Sequence, residues 1–291
     1  MADTIKIQLE NIYKPITEEQ IRTSKNFVLR RESAANGLRS LVDALMEDAA
    51  DEITRICYRY GVEPTAFTIS PDYNSDMFKE IANVMDMLED EILDLLEDYS
   101  LKCTKDEKKK APLILWILAL GRNNKGLRAS LEQRLRTLLR DIEAMIAAAR
   151  KAGFGTDKAV RLIRSNLHTA YQMPGMAAAF KNHSLFKARN IRYKGVKKGN
   201  RGESNSEANN IDRFVKTTVQ MAWMHYQHEL YEEKGAAGYM CFRGSTFHCP
   251  ICDDVCNKFY PIDSQMPLPV HPSCCCFAVP VYEKDINDLT L

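Results

Sequence analysis

Apolar residues repeat every three or four positions over long stretches of this chain, the period of a helix with one buried face. Between Ser33 and Tyr60 the stripe is Leu38, Leu41, Val42, Leu45, Ala49, Ile53, Ile56 and Tyr60. Gly61 offers a C-terminal cap, and Pro64 bars continuation. A second helix is predicted from Asn74 or Ser75, either of which can cap it, with Phe78, Ile81, Met85, Leu88, Ile92, Leu95 and Leu96 inward. Its other face is acidic (Asp86, Glu89, Asp90, Glu91, Asp94, Glu97 and Asp98) and reads as solvated. The run from Ala111 to Leu120 is apolar on all sides and predicts a buried core helix. It has about half the ~20 residues needed to span a bilayer.

The turn Asn123-Asn124-Lys125-Gly126 leads into a helix with Leu131, Leu135, Leu138, Ile142, Met145 and Ala149 on one face. Gly153 and Gly155 end it, and Thr156 or Asp157 can cap the next, which carries Val160, Ile163, Leu167 and Tyr171. Short connections between amphipathic helices predict a bundle over residues 1–175. Residues 176–209 break the pattern. Lys187, Arg189, Arg192, Lys194, Lys197, Lys198 and Arg201 fall in a stretch with interleaved Phe186 and Tyr193 and a polar, turn-rich end. This is an exposed linker by composition. Its cations and rings are also the chemistry of a nucleic-acid contact. A last helix follows from about Asn210 to Lys234, where His225 and His228 share a face with no matching cysteine or carboxylate and read as structural. Residues 210–291 then form a third region, with short strand-like segments at 238–243, 257–262 and 276–282.

A net charge of +1 gives the molecule no overall field to steer it toward nucleic acid or membrane. The cysteines change the picture more. Of nine, Cys57 and Cys103 stand alone, and the rest crowd between Cys241 and Cys276. The first residues show no basic segment followed by an apolar one, so a reducing cytoplasm is expected and a disulfide framework is not. Cys249-Pro250-Ile251-Cys252 can aim two sulfurs at one ion across a tight turn, and His271-Pro272-Ser273-Cys274 repeats the spacing. Cys276 lies two residues on, on the same side of an extended segment as Cys274, with Cys275 turned away. The expected ligands are Cys249 and Cys252 with a pair from His271, Cys274 and Cys276, the choice between the last two staying open. Cys241 and Cys256 are surplus. Four protein ligands close a tetrahedron, so the zinc is expected to be structural. The predicted fold is mainly α: an N-terminal helical bundle followed by a small α+β C-terminal lobe with a structural zinc site.

The tail resembles the C-terminal half of the phage head morphogenesis (minor head protein) family of tailed bacteriophages, the Mu F-like proteins. The likeness rests on a helix ending near Tyr231, then Gly238, the strand Tyr239–Arg243, the pair Cys249 and Cys252, and His-Pro-Ser-Cys-Cys-Cys at 271–276 leading into Val279-Pro280-Val281. It covers roughly residues 160–282. Cys275 stands where the family usually has Arg, and Asp253-Asp254-Val255-Cys256 replaces a common Leu-Asp-Gly. The resemblance implies a non-enzymatic virion protein, made in the bacterial host cytoplasm and placed inside the capsid at the portal vertex. It would aid head assembly, DNA packaging or DNA delivery. Its implied partners are the portal protein or major capsid protein and packaged DNA, with no membrane. Two rival functions are a zinc-stabilised nucleic-acid-binding protein outside a virion and an ADP-ribosyltransferase-type toxin. The toxin lacks a convincing set of Arg, Ser-x-Ser and Glu-x-Glu here.

Overall fold

The computed structural model describes residues 13–61, 74–120, 126–172, 206–246, 248–271 and 274–284. It is mainly helical, with a small three-stranded antiparallel sheet near the C-terminus. The helices are α1 (Glu18–Arg59), α2 (Ser75–Leu101), α3 (Glu107–Ala119), α4 (Gly126–Lys151), α5 (Thr156–Asn166), α6 (Glu207–Glu233) and the single turn α7 (Pro250–Asp253). A 3-10 segment, Leu167–Gln172, extends α5. The strands are β1 (Gly238–Phe242), β2 (Phe259–Pro261) and β3 (Phe277–Val281).

Helix ends follow local chemistry. α1 starts well before the expected Ser33, because Thr17 and Gln20 form a capping box: Gln20 N donates to Thr17 Oγ1 at 3.2 Å, and Thr17 N to Gln20 Oε1 at 2.8 Å. Gly61, with φ +67°, follows its last turn. Asn74 caps α2 through Oδ1, which accepts from Met77 N at 3.0 Å. Gly153, with φ +71°, closes α4 in a Schellman pair, with Phe154 N donating to Ala149 O and Gly153 N to Arg150 O. α5 departs from expectation. Its N-cap is Gly155, with no side-chain cap from Thr156 or Asp157.

The chain forms two compact units, and neither is continuous in sequence. One gathers the described residues within Met1–Gly37, Glu97–Ile117 and Lys216–Leu291. The other gathers those within Leu38–Leu96 and Leu118–Val215. The expected regions 1–175, 176–209 and 210–291 run in chain order, whereas the units interleave.

The second unit is a helical core. Leu38, Val42, Met46, Ile53, Ile81, Ile92, Leu131, Leu138, Ile142, Met145 and Ile163 are buried to within 1% of full burial. Polar pairs tie its surface: Arg164 reaches Glu47 and Asp51, Arg128 reaches Glu89 and Asp90, and Tyr58 donates to Phe154 O. The acidic face of α2 is thus partly neutralised from within its own unit.

In the first unit, the end of α6 turns into the sheet through a second Schellman pair, Ala236 N to Tyr231 O and Gly235 N to Glu232 O. β1 lies between β2 and β3, pairing Tyr239 with Tyr260 on one side and with Pro280 on the other. Gly238 is required there, since a Cβ would lie 2.3 Å from Tyr260 O. Alternation along β3 sorts two faces. Phe277 and Val279 pack with Val28, Ile16, Ile21 and Phe242, while Ala278 joins Met224, Tyr231, Tyr239 and the cysteines. Tyr231 Oη pins three elements, donating to Ala278 O at 2.8 Å, accepting from Gln227 Nε2 at 2.7 Å and lying 3.3 Å from Ser24 Oγ. α3 is not a fully buried helix. Leu113 and Ile117 are buried, but Leu115 and Leu118 are exposed.

Candidate metal centre

The centre is built from two short turns. Cys249 stands in extended conformation as the N-cap of α7, and Pro250 occupies the first helical turn, where its missing N–H costs nothing. Asp253 N donates to Cys249 O at 3.0 Å, and Cys256 N to Cys252 O at 2.9 Å. This single turn sets Cys249 and Cys252 side by side and puts Cys256 one turn further on. The second turn closes where Cys274 N donates to His271 O at 2.9 Å. Cys276 immediately precedes β3, so the sheet fixes its place.

These turns meet. His271 Nε2 lies 3.5 Å from Cys249 Sγ and 3.1 Å from Cys252 Sγ. Bonds of about 2.3 Å to sulfur and 2.0–2.1 Å to nitrogen give a tetrahedral S···N edge of about 3.6 Å. Two sets of donors each lie within 4.8 Å: Cys249, Cys252 and His271, and Cys252, Cys274 and Cys276. They share Cys252. All five expected ligands are therefore gathered, and the cluster can hold a metal ion. Cys274 and Cys276 both remain within reach of Cys252.

The electrostatics fit a thiolate-binding metal. Burial pushes the Cys252 thiol up to about 12. A hydrogen bond with Cys276, followed by burial, raises Cys274. Burial lowers His271, favouring the neutral imidazole that a metal requires. Without a cation these sulfurs hold their protons; with one they become the thiolates that neutralise it.

Several neighbours complete the centre. Cys275 belongs to neither donor set and is only partly buried between the buried Cys274 and Cys276; burial raises its thiol, and Glu32, Arg31, Cys274 and Lys216 also act on it. Cys256 is less remote than its surplus status suggested: it is buried, and its thiol hydrogen-bonds to Cys276. Cys241 lies in the same buried cluster, with its thiol pushed up by burial to about 12.

Arg31 was invisible to sequence reasoning. Fully buried, it donates from Nη2 to Cys274 O at 2.6 Å and pairs with Glu32 at 3.0 Å. Gln220 and Lys216 of α6 hold Glu32 in turn. Nothing local marks one arginine on a long helix as a prop for a loop far along the chain. Gly244 escaped notice too: a Cβ there would lie 1.8 Å from Cys275 O, so the two backbones touch.

His225 and His228 take structural places. His225 stacks on Trp116 at 4.1 Å and His228 Nε2 donates to Ile262 O at 2.8 Å; the face does carry a carboxylate, contrary to expectation, since Glu229 one turn on lies 3.3 Å from His225 Nε2. The basic residues Lys187, Arg189, Arg192, Lys194, Lys197, Lys198 and Arg201 lie outside the described residues. No described helix is long and apolar enough to cross a membrane. Comparison with protein-family models, curated proteins and solved structures finds no match to this chain.

Proposed function

We propose that this chain is a non-enzymatic minor head protein of a tailed phage. In this reading it sits inside the capsid by the portal vertex and serves head assembly, DNA packaging or DNA delivery through contacts with portal or major capsid protein. The observation that carries it is the convergence of the two motif halves. The CxxC turn and the His-x-x-Cys-x-Cys turn, the most distinctive parts of the family likeness, meet in one donor cluster on a small sheet. Mass spectrometry of purified virions and proheads tests it. The chain is expected in both, at few copies per portal, and its absence from both would overturn the reading.

Within this reading the metal is zinc. Cysteine with histidine in a tetrahedral set suits zinc, and four protein ligands leave no place for a reactive water. The ion then replaces the large apolar interior that so small a lobe lacks. Elemental analysis of the purified chain is expected to give about one zinc per molecule. The basic run at 187–201 is the part assigned to DNA. Neutralising Lys194, Lys197 and Lys198 together is expected to flatten the salt dependence of DNA binding by about three counterions' worth of slope. An unchanged slope would remove the run from the proposal.

A further inference from the structure

A second group of donors lies in the helical unit, with chemistry unlike that of the cysteines. Asp43 comes from α1, His168 from the 3-10 segment after α5, and Asp212 from the first turns of α6. Their donor atoms lie within 4.8 Å of one another. His168 Nε2 is 3.3 Å from Asp43 Oδ1, and its Nδ1 is 3.8 Å from Asp212 Oδ2.

The imidazole is held in one orientation. Asn209 Nδ2 donates to His168 O at 2.6 Å, which turns Asn209 Oδ1 toward His168 Nδ1 at 3.3 Å. An amide oxygen only accepts, so Nδ1 carries the ring proton and Nε2 presents a lone pair. Asp43 Oδ1, another acceptor, lies 3.3 Å from Nε2 and off the line of a hydrogen bond. Metal-binding histidines are held in this way, with one nitrogen donating to an oxygen and the other left for the ion.

The carboxylates carry the same sign of incompleteness. Arg39 Nε meets Oδ2 of Asp212 at 3.1 Å and Oδ2 of Asp43 at 3.8 Å. The other oxygen of each, Oδ1, is buried with no donor on it, and the two carboxyls lie close enough together for one to bond the other by keeping a proton. The Asp212 side chain is only 4% exposed. Two carboxylates against one guanidinium leave negative charge in a site with little water to screen it. A buried acceptor in that position needs a proton or a cation.

We propose that Asp43, His168 and Asp212 form a second metal centre, which takes a divalent cation of the manganese class. Two carboxylates and one imidazole are harder donors than thiolates and suit such an ion. The 3.3 Å gap between Asp43 Oδ1 and His168 Nε2 is close to the ~3 Å edge of an octahedron with bonds of about 2.1 Å. Three protein donors leave further positions for water, which enters on the side where Asp43 and His168 are partly exposed. The ion would tie together three stretches of chain within the helical unit.

The test uses the full chain carrying one equivalent of zinc, titrated with Mn2+ and followed by electron paramagnetic resonance. One Mn2+ per chain is expected at micromolar free ion. Asp212→Asn and His168→Gln should each weaken binding by roughly tenfold or more. Asp90→Asn, which removes an exposed carboxylate of the same unit, should leave it unchanged. Should Asp212→Asn lose its helical circular dichroism, pulsed resonance on the unaltered chain decides: one histidine nitrogen couples to the manganese, and the coupling disappears in His168→Gln. No binding at millimolar Mn2+, equal binding by the original chain and both variants, or a spectrum without nitrogen coupling would each overturn the proposal.

Discussion

The cysteine lobe and the helical unit solve the same problem with different materials. The helical unit buries Leu131, Leu138, Ile142, Ile81 and Ile92 in an ordinary apolar core. The lobe has a three-residue strand β2 and a core whose members include Cys241, Cys252, Cys256, Cys274 and Cys276. A few short strands cannot remove enough apolar surface from water to repay the entropy of ordering loops. Thiols supply little of that term, but they can supply ligands, so coordination is the substitute open to the lobe. On the proposed function its stability depends on a bound ion, whereas the helical unit keeps its apolar core whether or not an ion is bound.

The largest expected effect tests that division directly. Cys252 belongs to both donor sets, so Cys252→Ser should abolish metal binding and unfold the lobe while α4 and α5 keep their helical signal. Elemental analysis with hydrogen exchange resolved by segment reads both. A metal-free Cys252→Ser chain with full protection at β1 and β3 would break the comparison. Next comes the apolar side: Leu138→Ala, fully buried in α4, should cost about 2–5 kcal/mol in denaturant unfolding and leave metal content unchanged. Arg31→Met tests whether the lobe also leans on a buried polar prop. It orphans Cys274 O and should cost about 1–3 kcal/mol, with weaker metal retention under chelator challenge. The smallest is Asn74→Ala, which removes the cap of α2 for about 1 kcal/mol and does not touch the metal.

pH acts with opposite sign on metal-bound thiolates and on buried free thiols. Metal-bound thiolates must take up protons to let go, so a lobe that holds an ion is expected to lose it as pH falls. Cys57 in the helical unit behaves oppositely. Burial raises its thiol from 9.0 to about 12. A raised folded-state pKa means that its contribution is complete below about 9 and is lost as pH rises toward about 12. Acid should therefore open the lobe first. Alkali should weaken the helical unit through Cys57, an effect that Cys57→Ala removes. Thermal melts with metal content measured across the pH range test both arms.

Much of the helical core was legible because its signals are local. The stripes Leu131, Leu135, Leu138, Ile142, Met145 and Ala149 of α4, and Val160, Ile163 and Leu167 of α5 and its extension, are buried as their period requires. Local signals also misled. Ala111 to Leu120 reads as apolar on every side, yet the fold buries only Leu113 and Ile117, half-covers Trp116 against His225 and leaves Leu115 in solvent. On α2 the predicted Ile81, Leu88, Ile92 and Leu96 are buried, but the first turn buries Met77 instead, with Phe78 only partly covered.

The sequence by itself determined the composition of the cysteine centre, because the CxxC turn and the His-x-x-Cys-x-Cys turn each aim their donors within a few residues of backbone. It determined the helices for the same reason, since periodicity and caps act over one or two turns. Only the tertiary structure decided that Cys256 lies against Cys276, that Arg31 supports Cys274 O, and that Asp43, His168 and Asp212 converge. Those groups are brought together by the packing of segments distant along the chain. The free energy that places them is the burial of other residues, so their own positions carry no periodic trace of the meeting.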